Sequence, residues 1–275
     1  MTSGHPPQGA VDCSPRPGND SEAAPVARDV LREAREKAEE VERIKSAFLA
    51  MVSHEMHTPL HQISGFSSLI ASSASEPEIR EYAELIGKSA GDFLEILGDL
   101  FDLAVAEHAV LKLSPEEFTA REIFTQNRHN LERILRVSGR SDLKLIFEVD
   151  SGAMKTRWRG DRLKINRVLD NLFKNAVKFS DPGEVVFGFR PIDPDVLGFW
   201  VRDNGPGVPP EKQDILFDLF RRADESPTRR HGGMGIGLAI CKKFSDALGG
   251  TIHYEPGPVR GSIFRLDVPL EKIPV

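Results

Sequence analysis

The chain has 275 residues, 40% hydrophobic and 28% charged, with 23 glycines and 19 prolines, enough to bury one good core or two small ones. Collagen-like, wholly disordered and membrane-spanning classes are excluded: no run approaches the roughly 18 apolar residues that cross a bilayer, and Met1–Pro17 lacks the basic and apolar regions of a signal peptide. A net charge of -6 gives no electrostatic footprint for nucleic acid, and two cysteines, Cys13 and Cys241, make neither a disulfide framework nor a thiolate zinc site. The expectation is a soluble cytoplasmic protein with free thiols and no nucleic-acid partner.

Residues 1–25 are rich in Pro, Gly, Ser and Asp, show no apolar periodicity and are expected to be a disordered tail. From Val26, the residues Leu31, Ala34, Ala38, Val41, Lys45, Phe48 and Val52 recur at spacings of three and four, which predicts one long amphipathic helix to about Ser72. Pro59 lies inside it and is expected to kink it. A polar turn, Ser72–Pro77, leads to a second periodic run with Ile79, Tyr82, Ile86, Phe93, Leu97, Leu100 and Ala104 on one face. Two such helices make an antiparallel hairpin. Because a hairpin buries one seam, and Ala90 and Gly91 allow close packing, a homodimeric four-helix bundle over residues 26–110 is expected.

Residues 111–275 change texture. Strand-like runs at Leu143–Val149, Glu184–Arg190, Gly198–Asp203, Gly250–Tyr254 and Ser262–Val268 alternate with helical patterns at Arg121–Val137, Asp161–Phe179 and Gly237–Leu248. This predicts an α/β two-layer sandwich after the hairpin.

Chemistry concentrates in four places. At the expected kink stands Ser53-His54-Glu55-Met56-His57-Thr58-Pro59-Leu60. His54 and Thr58 are one helical turn apart, and a neutral imidazole is a competent nucleophile beside a carboxylate that can take its proton. His-Glu also begins a zinc-protease motif, but that motif needs histidine where Thr58 stands. His57 and His61 have the i, i+4 spacing of two metal ligands; with Pro59 expected to distort the turn and no third ligand evident, no metal is expected there. Asn171 and Asn175 share a helix face ahead of Lys178 and Phe179, a set suited to magnesium and phosphate. Asp203-Asn204-Gly205-Pro206-Gly207 follows a strand, so a carboxylate at the strand end could accept from an exocyclic amine while glycines let backbone approach a ligand. Gly232-Gly233-Met234-Gly235-Ile236-Gly237-Leu238 opens a helix whose N–H groups could cradle phosphate. Between these two blocks, Phe217-Asp218-Leu219-Phe220 precedes the basic stretch 221–231, expected to be a mobile lid.

In this order the blocks resemble the sensor histidine kinases of two-component signalling, over about residues 30–270. His54–Leu60 looks like the phosphoacceptor box, Asn171–Phe179 the N box, Asp203–Gly207 and Gly233–Gly237 the two glycine boxes, and Phe217–Phe220 the phenylalanine box. The resemblance implies a dimerisation and phosphotransfer hairpin followed by an ATP-binding domain of the gyrase-like superfamily. It implies that His54 is phosphorylated, Glu55 is its base, and Thr58 orients water for dephosphorylating a response regulator receiver domain. For ATP and Mg2+ it implies a site of Asn171, Asn175, Lys178, Phe179, Asp203, Gly205, Gly207, Phe220, Gly233, Gly235, Gly237 and Leu238, with the metal on Asn175 and Asn171. A hinge is expected at Glu107–Pro115. Two positions depart from the family pattern: His57 is titratable where arginine is usual, and Met234 cannot donate where a small hydroxyl residue is frequent. Competing readings are a degenerate kinase serving as a binding module or regulator phosphatase, and another ATPase or a serine/threonine kinase of the same superfamily.

Overall fold

The computed structural model describes residues 20–73, 75–108, 112–219 and 235–274. Cys13, Phe220, the basic stretch 221–231, Gly233, Met234 and the centre of the expected hinge, 109–111, lie outside the described residues. The chain divides into two units, Met1–Leu49 and Ala50–Val275.

The first unit, in its described part, is the opening of helix α1 (Asp20–Ser73). The helix begins six residues before the Val26 expected from periodicity, so Asp20–Pro25, read as tail, are helical. Its surface carries the i, i+4 pairs Arg32–Glu36 at 3.6 Å and Arg35–Glu39 at 2.7 Å, each worth a few tenths of a kcal/mol in an exposed helix.

In the second unit the rest of α1 pairs with α2 (Glu76–His108). Helix α1 runs through Pro59 as one element to Ser73, close to the expected end at about Ser72. Proline deprives only the Glu55 carbonyl of its donor, while the Thr58 hydroxyl donates to the His54 carbonyl at 3.1 Å, and Pro59 itself is buried. The antiparallel pairing shows in two contacts, the Ser89 hydroxyl donating to Gln62 Oε1 at 2.9 Å and Phe66 stacked on Tyr82 at 5.7 Å. Pro77, expected in the turn, falls in the first turn of α2, where a missing N–H is tolerated. The Glu78 carboxylate accepts from the Ser75 amide at 2.7 Å and hydroxyl at 2.6 Å, closing that start.

The remainder runs β1 (Glu116–Thr119), α3 (Ala120–Val137), β2 (Leu143–Val149), a 3-10 turn, β3 (Arg157–Gly160), α4 (Arg162–Phe179), β4 (Gly183–Asp193), β5 (Val196–Arg202), α5 (Pro210–Gln213), α6 (Gly237–Ala247), β6 (Thr251–Pro256), β7 (Ser262–Pro269) and β8 (Glu271–Ile273). The five expected strands form one sheet in the order β2-β4-β5-β7-β6, with β2 parallel to β4 and the other pairs antiparallel. The alternation of β4 and β5 turns Val185, Phe187, Phe189, Leu197, Phe199 and Val201 inward, all buried. Phe173 of α4 meets Phe187 edge-on at 5.1 Å, and Phe124 of α3 stacks on it at 6.3 Å, so the helices cover that face. A second sheet, β1-β3-β8, was not expected. Its strands have three or four residues, too few for a periodic pattern.

Candidate functional site

His54 lies on α1 and is exposed, as are His57, Thr58 and His61, while Glu55 is half-buried. The unbroken helix keeps His54 and Thr58 on one stripe, and their backbone–hydroxyl bond fixes Thr58 beside it. Counting back along α1 and equally forward along antiparallel α2 from the Gln62–Ser89 and Phe66–Tyr82 contacts puts His54 level with about residues 94–97 of α2.

Helix α4 is the spine of the second half of the site. Asp161 caps it, its Oδ1 accepting from the Lys164 amide at 3.0 Å. Asp161 Oδ2 accepts from Lys164 Nζ at 2.7 Å and from the Ser114 amide at 2.9 Å, which ties the chain after α2 to the start of α4. Burial alone would raise this carboxyl; the bonds from Lys164 and Ser114 outweigh it and hold it below the usual value. Midway along α4, Asn171 Oδ1 lies 3.1 Å from where a Cβ on Gly237 would stand, so this amide faces the first residue of α6. Gly235, just before, has φ +67, a left-handed conformation that lets the chain turn into the helix. At the end of α4, the Phe179 carbonyl lies 2.5 Å from a Cβ placed on Gly205, an approach only glycine permits. Lys178 Nζ sits 5.3 Å from the Phe179 ring centroid.

Asp203 follows β5 directly and is buried. Its Oδ1 accepts from the Gly205 amide at 2.9 Å and the Ser262 amide at 3.2 Å. Burial raises its carboxyl above the usual range, and the bonds from Gly205 and Ser262 only partly oppose this. Gly207 stays in the same turn, where the Val208 amide donates to the Tyr254 hydroxyl at 3.1 Å. Leu238 occupies the first turn of α6, half-buried. Phe217 packs edge-on against Phe264 at 6.5 Å. A cleft of about 360 Å³ beside Asp203 is lined by Arg202, Asn204, Val259 and Arg260 rather than by the asparagines of α4.

The structure thus joins Asn171, Gly237, Phe179, Gly205 and Asp203 through one helix. Sequence reasoning missed Ser262 and Tyr254, which hold the first glycine turn from β7 and β6, and Asp161. The Asp161 signal was present, since aspartate before an apolar helical run is an N-cap pattern; Ser262 and Tyr254 carry none.

Helix α4 also meets α2. Glu95 pairs with Lys174 at 2.8 Å and Asp102 with Arg167 at 2.9 Å; Leu103 is buried. Between these pairs Asp99 is pushed up to about 6, first by burial and further by Glu95 and Asp102, against the pull of Lys174 and Arg167. Cys241 of α6, a free buried thiol, is raised by burial and by Asp99.

Residues 44–109 match the family model of the His Kinase A (phospho-acceptor) domain, and residues 160–272 that of the Histidine kinase-, DNA gyrase B-, and HSP90-like ATPase. The chain belongs to the sensor histidine kinases. Sensor histidine kinase RcsC of Salmonella typhimurium is 34% identical over 240 residues, covering 87% of this chain and 25% of that protein. Signal transduction histidine-protein kinase BarA of Escherichia coli is 34% identical over 249 residues, 88% of this chain and 26% of that protein. The chain therefore spans about a quarter of the curated relatives it matches. Among solved structures, full-length ShkA in complex with AMPPNP has a TM-score of 0.61 at 25% identity, covering 82% of this chain and 46% of that one. Histidine kinase ThkA in complex with response regulator protein TrrA shares the fold, with a TM-score of 0.60 at 23% identity over 86% of this chain and 65% of that one. Among the described residues, no helix is long and apolar enough to cross a membrane.

Proposed function

We propose that the chain is an ATP-dependent protein-histidine kinase that phosphorylates itself on His54 and passes the phosphoryl group to an aspartate of a receiver domain, with Thr58 serving the reverse hydrolysis. The observation that carries this reading is the Glu95–Lys174 pair, which sets Lys174 of α4, the residue before Asn175, against the part of α2 level with His54. Phosphoryl transfer asks mainly for positioning and charge neutralisation, and that registry supplies the first.

The amide oxygens of Asn175 and Asn171 fit the oxygen-rich shell that magnesium prefers, and the facing start of α6 offers backbone N–H groups to phosphate oxygens. Bound there, magnesium would neutralise triphosphate charge. Lys178 adds a positive charge, Phe179 an apolar wall, and Asp203 an acceptor for the adenine amino group; Phe220 and Gly233 belong to the same site by resemblance. An imidazole lone pair of His54 attacks the γ-phosphorus, the bond to the β–γ bridging oxygen breaks with release of ADP, and the second ring nitrogen gives its proton to Glu55. Homodimerisation and a receiver-domain partner belong to the same reading.

Incubation with γ-labelled ATP and magnesium tests it. The chain is expected to take up label that survives alkali and is lost in acid, and His54→Gln to take up none. Label retained in that variant, or stable in acid, would reject the assignment.

A further inference from the structure

Distortion of the turn at Pro59 and the lack of a third ligand are the reasons the sequence offers for setting His57 and His61 aside as metal ligands, yet the folded helix brings the two rings together. The helix is continuous from Asp20 to Ser73. Pro59 is buried while His57 and His61 both face solvent, so the proline occupies the packed side and leaves the imidazoles side by side. Their rings stack with centroids 5.7 Å apart and planes 23° from parallel. Two imidazoles one helical turn apart can direct one nitrogen each at a single ion, which is how the two histidines of a helical His-x-x-x-His segment bind metal.

The segment itself carries no charge that opposes a cation. Between Lys45 and Arg80 the sequence holds no lysine or arginine, while Glu55 stands in the same stretch. Nothing cationic on this segment opposes a doubly charged ion. Among the described residues no three His, Cys, Asp or Glu side chains converge as a metal site, so the pair would be an open site, its other positions filled by water.

We propose that His57 and His61 form a two-imidazole site for a borderline divalent transition-metal ion, of the zinc, nickel or copper class, on the exposed stripe that carries His54. Imidazole nitrogen selects these ions over magnesium and calcium, which take oxygen. His57 lies about 4.5 Å along the helix axis from His54, three residues at the helical rise, so an ion here stands at the phosphoaccepting turn. The site depends on the ring pair alone and not on the kinase reading.

The test is calorimetric titration of Zn2+ into the nucleotide-free chain in a non-chelating buffer, with millimolar Mg2+ present and Cys13→Ser in every protein to remove the tail thiol. One Zn2+ per chain is expected, weakened at least about tenfold by His57→Gln or His61→Gln, since even outer-shell changes cost that much, and abolished in the double variant. Both positions are exposed, and far-ultraviolet circular dichroism verifies that the helix persists. No binding to the parent chain, or equal affinity in the double variant, overturns the proposal.

Discussion

Asp161 shows how much one buried carboxylate can organise. It caps α4, pairs with Lys164 and accepts from Ser114, so its loss both uncaps the helix that carries Asn171 and Asn175 and frees the segment leading in from α2. Asp161→Ala is expected to cost about 1–3 kcal/mol, the range for a lost N-cap plus an unsatisfied donor. Asp161→Asn, which can still cap, should cost less, and urea unfolding monitored by circular dichroism separates the two. Its carboxyl is held below its ordinary value. The stabilisation is therefore complete above the unfolded carboxylate value and is lost as pH falls through the lower folded one. At this scale the motif residues were legible because each block is local in sequence. The groups that hold them were not: Ser262, which donates to Asp203, stands 59 positions away.

At the scale of elements, helices α1, α2, α3, α4 and α6 and five strands were legible because each is long enough to show its period. Strands β1, β3 and β8 were not, having no length over which a pattern can repeat. Periodicity also could not reveal that α2 has three working faces. At about 100° per residue, Tyr82, Ser89 and Phe93 point to α1; Glu95, Asp99, Asp102 and Leu103 point to α4 and α6; and Leu94, Leu97, Phe101 and Val105 form a third stripe. The second face carries a pH dependence. Asp99, half-buried among Glu95 and Asp102 of α2, Arg167 and Lys174 of α4 and Cys241 of α6, has its carboxyl raised from 3.8 to about 6, first by burial, in the docked arrangement. Docking therefore favours the protonated form, and it should strengthen as pH falls through about 6 and level off near the undocked value, by up to roughly a hundredfold for a two-unit shift. Small-angle scattering at pH 7.5 and 5.5 is expected to show the more compact chain at the lower pH, with Asp99→Asn compact at both. An Asp99→Asn variant that keeps the full pH response would refute this origin.

At the scale of the whole molecule, the third face of α2 carries the expectation of a dimer. Leu94 is 67% and Phe101 73% exposed, with Leu97 and Val105 between and beyond them, at the three-and-four spacing of a helix seam. Leu60 and Leu69 of α1 are exposed as well. A single hairpin has no second layer to cover such a stripe, and a second copy of the same hairpin supplies one of matching length and chemistry. Closing two hairpins into a four-helix bundle buries these residues and leaves the α4-facing side of each α2, charged and already occupied, outside the new seam. The chain is thus expected to sediment as a dimer. Phe101→Glu, which would place a carboxylate in that seam, should shift it to monomer without loss of helix content, because Phe101 contributes to neither of the two faces α2 uses within its own chain. A dimer unchanged by Phe101→Glu would place the seam on another face and leave the exposed stripe of α2 to a different partner.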